Sequence, residues 1–369
     1  MTEIHADRRA RAQQKIAESG ADAALITAPA NVRYLSGLVS SNAAVLLPAE
    51  GGGLLATDSR YAEAAERDCP DIEIASEREL EPALTQLAVA RGYRTLAFEA
   101  QEMTVERHAV VAALAGSMQM VPLGRVVEDL RMIKDEAEIA LLTRACAITA
   151  EAFAGILREI VPGRTERDLA VLLERAMIDL GAEAPAFDTI VASGPNGAIP
   201  HHSPGNRAFE AGDLITVDCG ARVGGYHADM TRTVALGVPA AWQRDIYELV
   251  AAAQLAGVAA ATAGAAVADV DAAARDMIDA AGHGDHFEHG LGHGVGLEVH
   301  EAPMMGRGRT GRLADRVPVT VEPGVYLPGK GGVRIEDTLV VRAGISGADP
   351  RRAVPAEVLT TTTKELLVL

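Results

Sequence analysis

Leu214-Ile-Thr-Val-Asp-Cys-Gly-Ala-Arg-Val-Gly-Gly-Tyr-His-Ala-Asp-Met-Thr-Arg-Thr-Val234 reads as two strands around a two-residue turn. β-Branched residues recur in both arms, and Gly224-Gly225 supplies the positive φ angles that hairpin turns need at no steric cost. If Val223 faces Tyr226, then Asp218 faces Thr231, and Asp229 projects from the same side of the pleat two residues earlier. Both carboxylates then share one face at a diagonal separation of roughly 7–8 Å. A cation fits between them.

A second acidic pair repeats the arrangement downstream. Val317 to Glu322 and Val333 to Val341 are again β-branched runs, separated by Pro323-Gly324 and the Pro328-Gly-Lys-Gly-Gly332 turn. Glu336 shares its strand face with Arg334 and Thr338, while Ile335 and Leu339 take the other, and a carboxylate on so apolar a strand needs a partner. In Gly290-Leu-Gly-His-Gly-Val-Gly296, alternating glycines let the backbone run close to a neighbour and leave His293 as the one functional side chain. A single acid in a strand is more often exposed or salt-bridged than a metal ligand. Asp218, Asp229, His293, Glu322 and Glu336 together, each in strongly structured surroundings, reverse that reading. Four carboxylates and one imidazole form a hard, oxygen-rich set that suits manganese or cobalt. Two divalent ions would balance the four negative charges, which otherwise repel one another and raise one another's pKa.

The 369 residues exceed one ordinary core and predict two domains. A formal charge of -17 argues against a nucleic-acid or anionic-membrane partner, because neither polyanion is attracted by such a field. The N-terminus is polar with no signal-peptide pattern, and no uninterrupted apolar run of transmembrane length appears, so a cytoplasmic location is expected. Cys69, Cys146 and Cys219 are odd in number and widely spaced, which fits reduced thiols. Cys219 adjoins Asp218 but points to the opposite face and reads as packing.

Taken in order, residues 6 to 19 read as a helix and Ala23 to Thr27 as a strand. Ala43 to Leu47 and Leu54 to Thr57 flank the Gly51-Gly-Gly53 turn as a hairpin. Helical Tyr61 to Arg67, strand-like Thr95 to Phe98 and helical Val105 to Leu114 complete an alternating unit without a cluster of ligands. Around Val127 to Glu136 the pattern turns into a long helix, with apolar positions at Ile139, Leu142, Ala145, Ile148 and Phe153. The domain boundary falls there, giving residues 1–128 and 129–369, and the fold class is α/β of the α+β kind. Thr165 and Asp168 have the spacing of an N-cap and its third helical position. Helices over 239–262 and 267–281 separate the first acidic hairpin from the glycine loop and the second acidic pair.

Three further histidines stand in suggestive places. His201, with His202 beside it, follows the turn-rich Ser193-Gly-Pro-Asn-Gly-Ala-Ile-Pro200 loop, His289 lies four residues before His293, and His300 opens His-Glu-Ala-Pro303. A lone histidine is usually structural, but these three surround the proposed metal ligands. Other motifs fail. Met304 occupies the second histidine position of a His-Glu-x-x-His zinc site, the alternating glycines do not fit G-x-G-x-x-G, and no serine sits in a G-x-S-x-G elbow.

The segments Phe187-Asp-Thr-Ile-Val-Ala-Ser-Gly-Pro-Asn196, Val217-Asp-Cys-Gly-Ala221, Gly225-Tyr-His-Ala-Asp-Met-Thr-Arg-Thr233, Gly290-Leu-Gly-His-Gly-Val-Gly-Leu-Glu-Val-His-Glu-Ala-Pro303, Val321-Glu-Pro-Gly-Val-Tyr326 and Gly332-Val-Arg-Ile-Glu-Asp-Thr338 closely resemble the Xaa-Pro peptidases of the pita-bread metallopeptidase family, which includes aminopeptidase P and prolidase. The resemblance covers almost the whole chain, with residues 1–128 similar to the family's creatinase/prolidase-like N-terminal domain and 129–369 to its pita-bread catalytic domain. It implies that Asp218, Asp229, His293, Glu322 and Glu336 hold two divalent ions, manganese first, with cobalt or zinc as alternatives. It further implies that His201 and His300 lie near the substrate carbonyl, that His289 lines the proline pocket, and that Arg334 supports the ligand strand and substrate. Glu322 is then the candidate proton shuttle to the leaving proline nitrogen. The reaction implied is hydrolysis of the bond between an N-terminal residue and proline by hydroxide activated at a dinuclear metal centre, in a homodimer.

Several family members place an arginine four residues after the catalytic histidine, where a dipeptide's carboxylate must be neutralised. Met304 stands there in this chain, with Arg307 and Arg309 nearby, which tilts the expectation toward aminopeptidase P over prolidase. A creatinase-like hydrolase of another small amide, or an inactive binding protein of this fold, are the more distant alternatives. Creatinase lacks the metal ligands, whereas all five matching residues are present here.

Overall fold

In the computed structural model, which describes residues 2–344 and 354–369, short apolar runs build one six-stranded sheet in the first unit of the chain, Met1–Arg131. Its strands are β1 (Ala23–Ile26), β2 (Ala43–Pro48), β3 (Leu54–Thr57), β4 (Glu73–Ser76), β5 (Thr95–Phe98) and β6 (Gln119–Pro122), in the order β4-β3-β2-β1-β5-β6. The β1–β2 and β2–β3 pairs are antiparallel and the others parallel. All four residues of β1 are buried, because helices α1 (Thr2–Glu18) and α2 (Pro29–Ser36) cover one side. Leu80, Leu84, Ala88, Val111 and Ala115 of α4 (Leu80–Ala90) and α5 (Val105–Ala115) pack on Ala23, Leu25, Leu46 and Ala56 from the other side. A small helix, α3 (Ala62–Asp68), precedes β4. The expected hairpin and the strand at Thr95 are present; β4, α4 and β6 are additions that periodicity did not reveal.

The long helix expected after Val127 is instead two. Helix α6 (Val126–Met132) stops, and α7 (Glu136–Ile156) restarts. Asp135 takes an extended conformation, its side chain accepts from Glu138 N, and Glu138 returns a bond to Asp135 N. That capping box satisfies two otherwise orphaned amides and sets the break. Helix α7 is long and apolar enough to cross a membrane by length and composition alone, but its apolar face is spent on two protein cores.

The second unit, Met132–Leu369, places helices around two acidic hairpins. Helix α8 (Glu166–Asp179) begins at the expected Thr165–Asp168 capping box. Strands β7 (Ala184–Pro185), β8 (Ile190–Ser193), β9 (Leu214–Cys219), β10 (Ala221–Val223), β11 (Tyr226–His227) and β12 (Met230–Ala235) follow. Then come α9 (Ala241–Ala260), α10 (Val267–Ala280), β13 (Gly292–Gly294), β14 (Glu301–Met305), β15 (Pro318–Val321), β16 (Gly324–Leu327), β17 (Gly331–Arg334), β18 (Asp337–Val340) and β19 (Glu357–Val358). Helices α9 and α10 pack on each other and bury Ile246, Val250, Val270 and Ala274 against Val319, Val321 and Leu339. Helices α7 and α8 do the same for β8 and β9 through Phe153, Leu173, Val191 and Val217. Cys219 lies fully buried in that second cluster, and all three cysteines are free.

Candidate metal centre

The first hairpin has the register that its sequence predicts. Val223 pairs with Tyr226 across Gly224 and Gly225, whose φ angles are 58° and 83°, and Asp218 pairs with Thr231. Between the two ladders, a Cβ at Gly220 would lie 1.8 Å from Ala228 O, so only glycine admits this close approach beside Asp229. The second hairpin is built the same way: β15 pairs with β18 and β16 with β17 in one continuous register. Carried through the interruption at Pro323, that register sets Glu322 opposite Glu336. Asp229, Glu322 and Glu336 thus lie at breaks in the ladders, with Asp218 near the end of β9, and their side chains can turn toward a common centre.

His293 comes from β13, which joins the second hairpin's sheet through β15. Its Nδ1–H donates to Gly294 O at 3.0 Å, which turns Nε2 toward the acids. Nε2 lies 3.3 Å from Glu322 Oε1 and 3.6 Å from Asp229 Oδ2. Asp229, His293 and Glu336 each offer a donor atom within 4.8 Å of the others, and all three are buried. Asp218 and Glu322 border the same cavity.

This arrangement is electrostatically incomplete as protein alone. Burial, then the charges of Glu336 and Asp218, push Asp229 well above the usual carboxylate range. Burial and the charges of Glu322 and Asp218 do the same to Glu336. Asp218 is raised too, chiefly by burial, against the opposing pull of Arg334. Burial would also raise Glu322, but the hydrogen bond and charge of His293, with His289 and Arg334 behind it, bring it down to about 2. His293 is correspondingly raised, since Glu322 outweighs the effect of its burial. Asp218 Oδ1 and Glu336 Oε1 are buried and have no hydrogen-bond partner among the described residues. Buried, orphaned carboxylate oxygens are costly unless a cation takes them, and a hard set of four carboxylates and an imidazole fits divalent metal.

The remaining predicted residues surround this centre in one cavity of about 770 Å³, which His201, His289, His300 and Arg334 all line. His300 stacks edge-on against His293 with ring centroids 4.4 Å apart, and burial with the His293 charge lowers its basicity. Arg334 is 4 % exposed and donates to Asp218 Oδ2 at 2.7 Å, Thr231 Oγ1 at 3.0 Å and Pro200 O at 3.2 Å. Thr231 in turn donates to Glu336 Oε2 at 2.7 Å, so one arginine and one threonine link ligand candidates from both hairpins. His202, by contrast, points away to the buried Glu166 at 2.8 Å.

Sequence reading missed Tyr326. Its hydroxyl accepts from Arg334 Nη1 at 2.9 Å and lies 2.9 Å from His289 Nε2. His289 donates its Nδ1–H to Gly290 O and is made less basic chiefly by burial, so neutral Nε2 is the acceptor and the tyrosine donates. No sequence signal marked it, because a tyrosine fits the Gly324–Leu327 strand by propensity and its partner His289 lies 37 residues away. Met304, Arg307 and Arg309 all line the cavity; Arg307 is ion-paired with Asp279, whereas no ion pair to Arg309 is found among the described residues.

Comparison with known proteins gives the same grouping. Residues 8–133 match the creatinase/prolidase N-terminal domain. The Xaa-Pro dipeptidase of Pyrococcus furiosus is 35% identical over 326 residues, 88% of this chain and 92% of that protein. Among solved structures, the Xaa-Pro dipeptidase from Bacillus anthracis superposes with a TM-score of 0.92 at 35% identity, covering 99% of this chain and 100% of that one. An X-Pro aminopeptidase from Thermotoga maritima gives 0.89 at 35% identity, covering 98% and 99%. The second unit has the pita-bread architecture of these proteins. With residues 140–343 matching the model of metallopeptidase family M24, this chain belongs to that family.

Proposed function

We propose that this metallopeptidase is an Xaa-Pro peptidase, cleaving the bond between an N-terminal residue and a following proline. The observation that carries it is the convergence of Asp218, Asp229, His293, Glu322 and Glu336 on a cavity walled by three further imidazoles. Those five residues would hold two divalent ions, manganese being the first choice for so oxygen-rich a set. When bound, such ions make water nucleophilic near neutral pH and polarise a carbonyl.

The chain's own groups then divide the work. His201 and His300 face the cavity where a substrate carbonyl would sit and would donate to its oxygen as negative charge develops, an effect worth about 3–4 kcal/mol per donor. Glu322 would carry a proton to the departing proline nitrogen. The imide bond before proline offers no N–H to recognise, so the ring must be read by shape; His289 and Phe287, in edge contact at 4.9 Å, form an aromatic wall suited to that. Arg334 would hold the Asp218 carboxylate in place.

Met304, in place of a carboxylate-binding arginine, favours substrates longer than dipeptides, the aminopeptidase P type. The dipeptidase reading stands second, favoured by Arg309 in the cavity wall and by relatives named Xaa-Pro dipeptidase. Hydrolysis of Ala-Pro and Ala-Pro-Ala by metal-stripped protein, before and after adding manganese, tests both. Restored cleavage of the tripeptide alone fits the first reading and of the dipeptide alone the second. Cleavage of neither overturns the peptidase assignment. The family resemblance also carries a homodimer, which light scattering on the purified protein would check.

A further inference from the structure

Lys134 is 1 % exposed, and its Nζ donates to Glu301 Oε2 at 2.7 Å. The other oxygen of Glu301 accepts from Glu298 N at 3.1 Å, and Gly296 N donates to Glu298 O at 3.0 Å. Gly296 O accepts both the backbone N–H and the ring Nδ1–H of His227. A Cβ at position 296 would come within 2.8 Å of Lys134 Nζ and 2.7 Å of Glu301 Oε2, so the pair occupies the space that this glycine leaves. The result is a closed loop, 296–301, fastened at both ends, with His300 next to the fastened Glu301. No hydrogen bond to the His300 imidazole is found among the described residues; its ring touches His293 and faces the cavity. Its position is therefore inherited from the loop.

Burying a lysine and a glutamate is a poor route to stability, because their desolvation offsets most of their attraction. The pair does supply geometric definition, by fixing where the chain turns into β14. Resting on the peptidase reading given above, we propose that Lys134 is a positioning residue for His300, acting through Glu301. It holds the loop so that the imidazole meets the substrate oxygen, and it touches neither substrate nor metal itself.

The test uses full-length, metal-loaded enzyme. Lys134→Met alone removes the ammonium seated on Glu301 Oε2 and risks the fold, so the informative variant is Lys134→Met/Glu301→Gln, which removes both charges. Metal content and thermal stability should stay near those of the parent. Turnover should fall about tenfold or more, the scale expected of a misplaced catalytic group, with KM changed less than about twofold. Placed in a His300→Ala background, the same double change should cost no further turnover, because both act through one side chain. Unchanged turnover, or an equal additional loss in the His300→Ala background, overturns the proposal. An arm independent of peptidase activity follows the His300 imidazole signals in protein as purified, assigned by their loss in His300→Ala. They should move in the double variant, and unmoved signals overturn the proposal even if neither Ala-Pro nor Ala-Pro-Ala is cleaved, a result that would itself defeat only the peptidase reading.

Discussion

The Tyr326 hydroxyl decides how two functional side chains present themselves. It donates a hydrogen bond to His289 and accepts one from Arg334, so removing it strands an imidazole acceptor and a guanidinium donor in a buried place. Tyr326→Phe should lower kcat/KM by about tenfold to a hundredfold, on the scale of one lost hydrogen bond with a charged partner; steady-state kinetics on a proline peptide measures it, and parent-like values would mean that water replaces the hydroxyl. Asp229→Ala and Glu336→Ala should abolish turnover and metal binding together, and a variant that stays active with full metal content would remove that residue from the ligand set. The acids and His293 were legible because a carboxylate in a β-branched strand, or a histidine among alternating glycines, conflicts with its surroundings unless a partner exists. Tyr326 and Thr231 were not, since each fits its strand by propensity and its role depends on a neighbour more than 35 residues away or on the opposite hairpin.

At the scale of elements, the register of the first acidic hairpin could be read because Gly224-Gly225 fixes the turn and side-chain alternation fixes everything after it. The short, half-exposed β4 and β6 gave no such pattern, and neither did the break before α7, which rests on a reciprocal cap between Asp135 and Glu138. The N-terminus of α8 shows the same limit. Its Thr165–Asp168 cap was visible, but the first helical residue, Glu166, does more. Fully buried, its carboxylate accepts from Ser193 N and Oγ, Asn196 Nδ2, His202 Nε2 and Gly205 N, which ties the loop carrying His201 to the helix. Burial alone would raise its pKa, but the bonds from Asn196, Ser193 and His202 outweigh it and leave it below the usual value. Glu166→Gln, with one acceptor oxygen and two unwanted donors, should cost about 3 kcal/mol at pH 7 and reduce turnover through His201. A depressed carboxylate stabilises the fold above its unfolded pKa of about 4.3 and loses that effect as pH falls through its folded value. The stability gap between parent and variant, followed by thermal melts, should therefore begin to narrow below about pH 4; a gap constant down to pH 3 would refute the assignment.

Over the whole molecule, all proposed ligands lie in the second unit, and residues 354–369 close back on the strands that bear them. Gly237 N donates to Leu369 O, Leu369 N to Ala235 O, and Ala235 N to Leu367 O, so the final residues run along the end of β12. Deeper in, Asp337 adjoins Glu336 and accepts from Arg232, Gln254, Thr360 and Lys364. Arg232, 2 % exposed, also donates to Glu336 O, Thr362 O and Thr363 O. Four donors on one buried acid, two of them from the last ten residues, make this segment part of the frame that holds Glu336. None of this could be read from Thr360-Thr-Thr-Thr-Lys-Glu365, a polar stretch that resembles a solvated tail, because the buried acid it serves lies more than 20 residues earlier. Deleting residues 360–369 leaves Asp337 with two of its donors and Arg232 with unpaired N–H groups in the interior. Breaking a buried pair in this way costs about 3–5 kcal/mol, and loosening the support of a ligand weakens metal affinity by about tenfold to a hundredfold. The milder Lys364→Met should show the same two losses in smaller measure, because Arg232 still pairs with Asp337. Thermal melts together with manganese titration separate the possibilities: lower stability with unchanged affinity would make the segment a brace for the core alone, whereas both falling together places it in the support of the metal centre.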